Sequence, residues 1–230
     1  MTAGHIGWAV LVLLLLGLAF GFQRLMVAAD RANVADWGGK WRNRLDGLNR
    51  LFCRWMHGLD DEIVHLPRDQ GQLVVANHLS GVDGNLLLAK TDKPLHFIIA
   101  REQFNRFGLK WLFKLGGFIP VDRKGRPDKA MSAALETLAN NGAVAIFPQG
   151  HISKGIPDKP LKRGVTFLAC RSGVPIYPFR ISGVRGAGRN VPAVFMRDKV
   201  RVEAHAPITC DGKEPEELLE QIQRLIFGLE

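Results

Sequence analysis

Cysteine is scarce in this 230-residue chain: Cys53, Cys170 and Cys210 are far apart and odd in number. They form no CxxC pair and no zinc spacing, which argues against a disulfide-built scaffold and a cysteine-ligated metal. No other residue cluster has metal-ligand spacing, so no metal cofactor is expected. GxSxG is absent too, so the chain offers no obvious protein nucleophile. Internal repeats and low-complexity linkers are missing, as is any known nucleic-acid motif. No Lys or Arg precedes Arg24. The apolar run that opens the chain therefore lacks the basic region of a secretory signal peptide.

What is present narrows the class. Hydrophobic residues make up 47% and charged residues 23%, the balance of a globular body rather than a disordered one. The length allows one ordinary domain plus a short anchor. The formal charge of +9 calls for an anionic partner: nucleic acid, a phospholipid surface or a phosphorylated substrate. With no nucleic-acid motif, the lipid surface leads.

Residues Ile6 to Phe22 are uncharged and apolar, close to the shortest run that crosses a bilayer. From Arg24 to Gly58 there are seven basic residues against three acidic ones. Positive charge stays on the cytoplasmic side, so the domain that follows is expected to face the cytoplasm, in a bacterium on the inner membrane. Trp37, Trp41, Leu45, Leu48, Phe52 and Trp55 fall on one helical face, with Arg42, Arg50 and Arg54 elsewhere. That pattern suits a helix lying in the lipid interface; the alternative is a helix packed on the domain. The expected organisation is a membrane anchor over 1–29, an amphipathic interfacial helix over 30–60 and a catalytic domain over 61–230.

From about Gln72 short apolar runs alternate with helical stretches. Strands are expected at 73–76, 96–100, 118–121, 143–147, 175–179 and 199–206. Helices are expected at 82–90, 102–115, 127–140, 161–172 and 214–227. Strand, helix, strand in repetition predicts an α/β domain with a mainly parallel sheet flanked by helices. In such folds chemistry sits at the carboxyl ends of strands. Two such loops hold Asn77-His78-Leu79-Ser80-Gly81-Val82-Asp83 and Phe147-Pro148-Gln149-Gly150-His151; a third leads to Arg123.

Histidine is the usual general base near neutral pH. A carboxylate on one ring nitrogen fixes the tautomer and leaves the other nitrogen to accept a proton. His78 and Asp83 are five apart, about 140° around a regular helix. They meet only if His78 lies in the turn and Asp83 in the first helical turn. A capping Asp beside an unrelated His would give the same spacing.

The four blocks taken together are more specific. Asn-His-x4-Asp, then Phe-Ile-Pro-Val-Asp-Arg, Phe-Pro-x-Gly and Val-Pro-Ile-x-Pro stand in order over residues 50 to 185. This resembles the glycerophospholipid acyltransferase family, which includes bacterial 1-acylglycerol-3-phosphate acyltransferases. The resemblance implies transfer of an acyl group from acyl-CoA or acyl carrier protein to a lysophospholipid hydroxyl, with no cofactor beyond that thioester. It makes His78 the base and Asp83 its orienting partner. It places Asn77, Arg123, Phe147, Pro148, Gln149, Gly150, Lys162 and Arg163 around the substrate, with Arg123 on the acceptor phosphate and the Gly150 turn near the oxyanion.

The third block departs from the family form Phe-Pro-Glu-Gly-Thr-Arg-Ser. Gln149 keeps hydrogen-bonding capacity without the charge, and Ile152 loses a guanidinium. His151 reads as a loop residue or as a contact to a different head group. The expected acceptor is 1-acylglycerol-3-phosphate. The alternatives are another lysolipid without a terminal phosphate, or a non-catalytic relative that binds lipid or acyl carrier protein.

Overall fold

The computed structural model describes residues 3–123, 125, 127–156 and 159–229. Lys124, Arg126 and Asp158 lie outside them. Six strands form one sheet: β1 Gln72–Ala76, β2 Leu95–Ala100, β3 Ile119–Val121, β4 Ala143–Ile146, β5 Ile176–Ser182 and β6 Arg201–Ala204. Their spatial order is β3-β2-β4-β1-β5-β6, parallel throughout except for β6, which runs antiparallel to β5. β1 and β4 are central and every residue in them is buried. This explains the unbroken apolar runs Leu73–Ala76 and Ala143–Ile146 within them, since a parallel strand covered on both faces has no polar side to show.

Nine helices surround the sheet among the described residues: α1 Ala3–Ala32, α2 Lys40–His57, α3 Asp83–Lys90, α4 Arg101–Phe104, α5 Lys110–Leu115, α6 Asp128–Ala139, α7 Gly164–Ser172, α8 Val191–Val194 and α9 Pro215–Phe227. One face of the sheet packs a core of Leu86, Leu87 and Phe97 with Cys53 of α2. The other packs Ala134 and Leu138 of α6, Leu168 of α7 and Leu218 and Ile222 of α9. The α/β architecture expected from the alternating pattern is thus present. The helix expected over 102–115 is two short helices, because the chain turns at Asn105–Leu109, where Leu109 N–H reaches the Arg106 carbonyl (3.1 Å).

α1 is a single helix whose apolar side chains from Val10 to Phe22 stand mostly exposed, and Val10–Ala32 is long and apolar enough to cross a membrane. It packs on α2 at its carboxyl end, where Gly47 lies against the Ala29 carbonyl. A Cβ there would collide with that backbone, so the contact demands glycine.

α2 is amphipathic in an unexpected sense. Asp46, Gly47, Arg50, Cys53 and His57 form its buried stripe, while Trp41 and Trp55 remain 65% and 64% exposed. Arg50, grouped with the solvent-facing polar residues from its sequence spacing, is fully buried. Its guanidinium donates to Asp46 (2.6 Å) and to the Ala89 and Thr91 carbonyls (2.9 and 2.6 Å). Asn49 and Asn85 bond across the same α2–α3 contact (2.7 Å). At the end of α2, buried His57 bonds Asp198 (2.8 Å). The helix is therefore clamped to the domain by polar bonds; it turns Trp41 and Trp55 outward, while Phe52, expected on the same face, packs against the core and the His57 ring.

The cysteine spacing gave no hint of cross-linking, yet Cys170 of α7 is bonded to Cys210 before α9. Only tertiary packing brings these positions together. Cys53 is buried, and burial pushes its thiol up to about 12. Since the thiolate is the reactive form, Cys53 should be inert at neutral pH. We expect air-oxidised protein to show no reactive thiol when native, one when denatured and three when also reduced. A reactive thiol in the native state would contradict this placement.

Candidate active site

The register of the sheet builds the site. Val75 pairs with Ile146, so the loops after β1 and β4 emerge side by side. One brings Asn77, His78 and Asp83; the other brings Phe147 through Gly150. The helix α4 after β2 and the loop after β3 add Glu102 and Arg123 from the same carboxyl end.

His78 Nδ1 and Asp83 Oδ2 are 2.9 Å apart. The Asp83 carboxylate also accepts from the N–H groups of Leu79 and Ser80 (2.6 and 2.8 Å) and from the Ser80 hydroxyl (2.7 Å). Asp83 opens α3 but turns back onto the loop, and its side chain is fully buried. This answers the capping alternative: the carboxylate serves the histidine and its loop, not the helix. The His78 ring stacks on Phe147 at 4.2 Å between centroids, 13° from parallel, and its side chain remains 21% exposed. With Nδ1 committed to Asp83, Nε2 is the nitrogen left to take a proton.

Gln149 and Asn77 are spent inside the protein. Gln149 Oε1 accepts from the His78 N–H, and its Nε2 donates to Ser153 Oγ (2.6 Å). Ser153 N–H in turn donates to the His78 carbonyl (3.0 Å). Gln149 is therefore a buried tie between the two loops, a role a neutral amide fills because it both donates and accepts. Asn77 fastens the loop to β5, donating to the Ile181 carbonyl (2.8 Å) and accepting from its N–H (2.7 Å). Pro148 is buried and its carbonyl accepts from Lys162 N–H (2.7 Å).

Gly150 sits at φ +69°, a turn conformation suited to glycine. Its N–H closes that turn on the Phe147 carbonyl (3.0 Å), so this conformation does not offer it to an oxyanion. Arg123 donates to the Gly150 carbonyl (2.8 Å) and forms a two-nitrogen ion pair with Glu102. The Lys162 stem also passes beside Gly150. Arg163 is not drawn in: it is exposed and pairs with Glu216 of α9 (3.1 Å). His151 is exposed, its Nδ1 bonded to the Gln149 carbonyl (2.9 Å). Sequence reasoning missed Glu102 and Ser80. Glu102 had one readable signal, its position just past β2 at the carboxyl end of the sheet.

A buried carboxylate bonded to a partly exposed histidine holds that ring where its other nitrogen can accept a proton from a bound hydroxyl. Residues 61–182 match the Acyltransferase family model, and the chain belongs to that family. It is 29% identical over 179 residues to sheep 1-acyl-sn-glycerol-3-phosphate acyltransferase alpha, covering 74% of this chain and 62% of that protein. It is 27% identical over 140 residues to a chloroplastic 1-acyl-sn-glycerol-3-phosphate acyltransferase of Brassica napus, covering 58% of this chain and 40% of that one. The chain thus spans less than two thirds of the length of these curated relatives. The fold matches that of the 1-acyl-sn-glycerophosphate acyltransferase PlsC from Thermotoga maritima, with a TM-score of 0.59 at 24% identity, covering 83% and 80% of the two chains.

Proposed function

We propose that this protein is a membrane-bound acyltransferase that moves a fatty acyl group from acyl-CoA or acyl carrier protein to the hydroxyl of a lysophospholipid. The observation that carries this reading is the His78–Asp83 pair. Nε2 of His78 takes the proton as the lysolipid oxygen attacks the thioester carbonyl. The tetrahedral intermediate then expels the thiolate, which recovers that proton as free thiol. The products are the diacyl lipid and the thiol, and no covalent bond to the protein forms. Release of thiol from acyl-CoA, measured against a panel of lysolipids, is the direct test. Absence of release with every acceptor would leave the chain a non-catalytic relative.

The acceptor we favour is 1-acylglycerol-3-phosphate. The two curated relatives described above are named for that acceptor, and Arg123 presents a planar fork suited to phosphate. Glu102 now occupies that fork, so a phosphate has to displace or share it. A charge-assisted contact contributes about 1.5–3 kcal/mol. Arg123→Ala should therefore raise the acceptor KM by about 10- to 100-fold, and Arg123→Lys should recover only part of the loss. A wild-type preference for lysolipids without a terminal phosphate, with Arg123→Ala indifferent, would overturn this acceptor.

α1 supplies the membrane attachment, with the outward tryptophans of α2 in the interface. The excess of cations that follows the apolar run Ile6 to Phe22 supports a cytoplasmic side for the domain. There the exposed Cys170 would be kept reduced, and the bond to Cys210 would form on purification.

A further inference from the structure

The excursion between β2 and β3 is unlike the rest of the surface. Phe107 is completely exposed and Trp111 is 61% exposed, with Leu109 and Leu112 beside them. Arg106, Lys110 and Lys114 are interleaved with these residues and exposed, and the sequence holds no acid from Asn105 to Gly117. Contiguous exposed apolar residues signal a binding surface.

The tip is rigidly held. Phe113 points inward, stacks on Phe118 (5.4 Å, 20°) and meets Phe104 (6.1 Å). Phe118 meets Phe97 (5.2 Å), Phe97 meets Phe147 (5.9 Å), and Phe147 stacks on His78. An aromatic row thus runs from the candidate base to the excursion. Phe118 also packs into the core that holds Cys53 of α2 and Leu86 of α3. The patch therefore belongs to the side of the sheet that carries α2, whose Trp41, Leu45 and Trp55 are exposed as well.

We propose that Phe107, Leu109, Trp111 and Leu112, ringed by Arg106, Lys110 and Lys114, form a membrane-docking surface of the catalytic domain, specific for anionic bilayers and separate from α1. Two features choose a bilayer over a protein. Alternating aromatic and basic residues match the layered lipid interface, apolar below and anionic above. The cation-only rim favours anionic head groups over zwitterionic ones. Docking here sets the mouth of the His78 site against the leaflet that holds a lipid acceptor. The placement relies on the membrane-bound reading of the chain, but not on turnover.

The test uses the full chain with Phe107→Cys carrying an environment-sensitive nitrobenzoxadiazole label. Disulfide-bonded Cys170 and Cys210 and buried Cys53 do not compete for the label. Glu220→Cys on α9, on the opposite face of the sheet, is the reference. In phosphatidylcholine vesicles containing phosphatidylglycerol, nitroxide lipids should quench the label at 107 and not at 220, while iodide should quench only 220. Equal iodide quenching at both positions, with α1 keeping the protein on the vesicles, would overturn the proposal. So would shielding of 107 that needs added acyl carrier protein.

Activity gives a second readout. Inserting even part of two aromatic rings removes on the order of 100 Å² of apolar surface from water, which favours the bilayer by at least about tenfold. Phe107→Ser with Trp111→Ser should raise KM for vesicle-embedded lysophosphatidic acid by about that factor. kcat and the rate on a short-chain, water-soluble acceptor should hold. Equal losses on both acceptors would overturn docking in favour of a structural defect. If the wild type transfers no acyl group, the proposed activity fails while the quenching result still decides this surface.

Discussion

His78→Ala is expected to lower turnover by about 100- to 10,000-fold, the usual contribution of a positioned general base, with unchanged melting behaviour. The ring is partly exposed and packs on one face against Phe147, so its removal leaves no buried cavity. Asp83→Asn should lose most activity by a different route. An amide NH₂ placed where Oδ2 sits would confront the Leu79 and Ser80 N–H groups, so the amide must present oxygen there. That oxygen still accepts from Nδ1–H, but without the charge that stabilises the protonated ring. The Ser80 hydroxyl would then face the amide nitrogen and must reverse its bond. Ser80 is thus a positioning residue, and Ser80→Ala should reduce activity less than Asp83→Asn does. The measurement is initial thiol release with melting recorded for each variant. Near-wild-type turnover in a folded His78→Ala protein would remove His78 from the chemistry.

Arg50→Leu is expected to produce the largest loss of stability. Arg50 and Asp46 are both buried, and the guanidinium also satisfies the Ala89 and Thr91 carbonyls. Leucine leaves Asp46 charged or protonated without its partner, and two carbonyls without a donor. Breaking a buried pair in this way costs about 3–5 kcal/mol, or roughly 6–20 °C in Tm for a chain of this size. Asp46 also accepts from Asn33 (3.0 Å), so the damage should reach the α1–α2 connection. Replacing both partners, Asp46→Leu with Arg50→Met, should recover part of the loss, because no charge is then stranded. Thermal melts of the single and double variants decide this. A change of less than about 2 °C for Arg50→Leu, under 1 kcal/mol at this size, would show that the pair does not hold α2.

The sequence alone settled the architecture. Unbroken apolar runs such as Leu73–Ala76 and Ala143–Ile146 have few ways to be buried except in the middle of a parallel sheet, and apart from the broken helix at 102–115 the expected helices of the α/β domain fall within a few residues of their bounds. It put His78 and Asp83 forward only through the resemblance of the four ordered blocks, since their spacing by itself fits a capping Asp equally well. Tertiary structure decided what depends on contacts between distant segments. Arg50 looked like a surface charge until its partners Ala89 and Thr91, some forty residues on, arrived beside it. The Cys170–Cys210 bond depends in the same way on α7 packing near the start of α9. Gln149 looked like a substrate contact until the pairing of β1 with β4 placed its amide on the His78 backbone. Arg163 was drawn off to Glu216 while Glu102 came to Arg123, since the ends of β2 and β3 are adjacent only in space. Periodicity records which face a residue takes on its own element, whereas the partner across the gap is set by strand order and register.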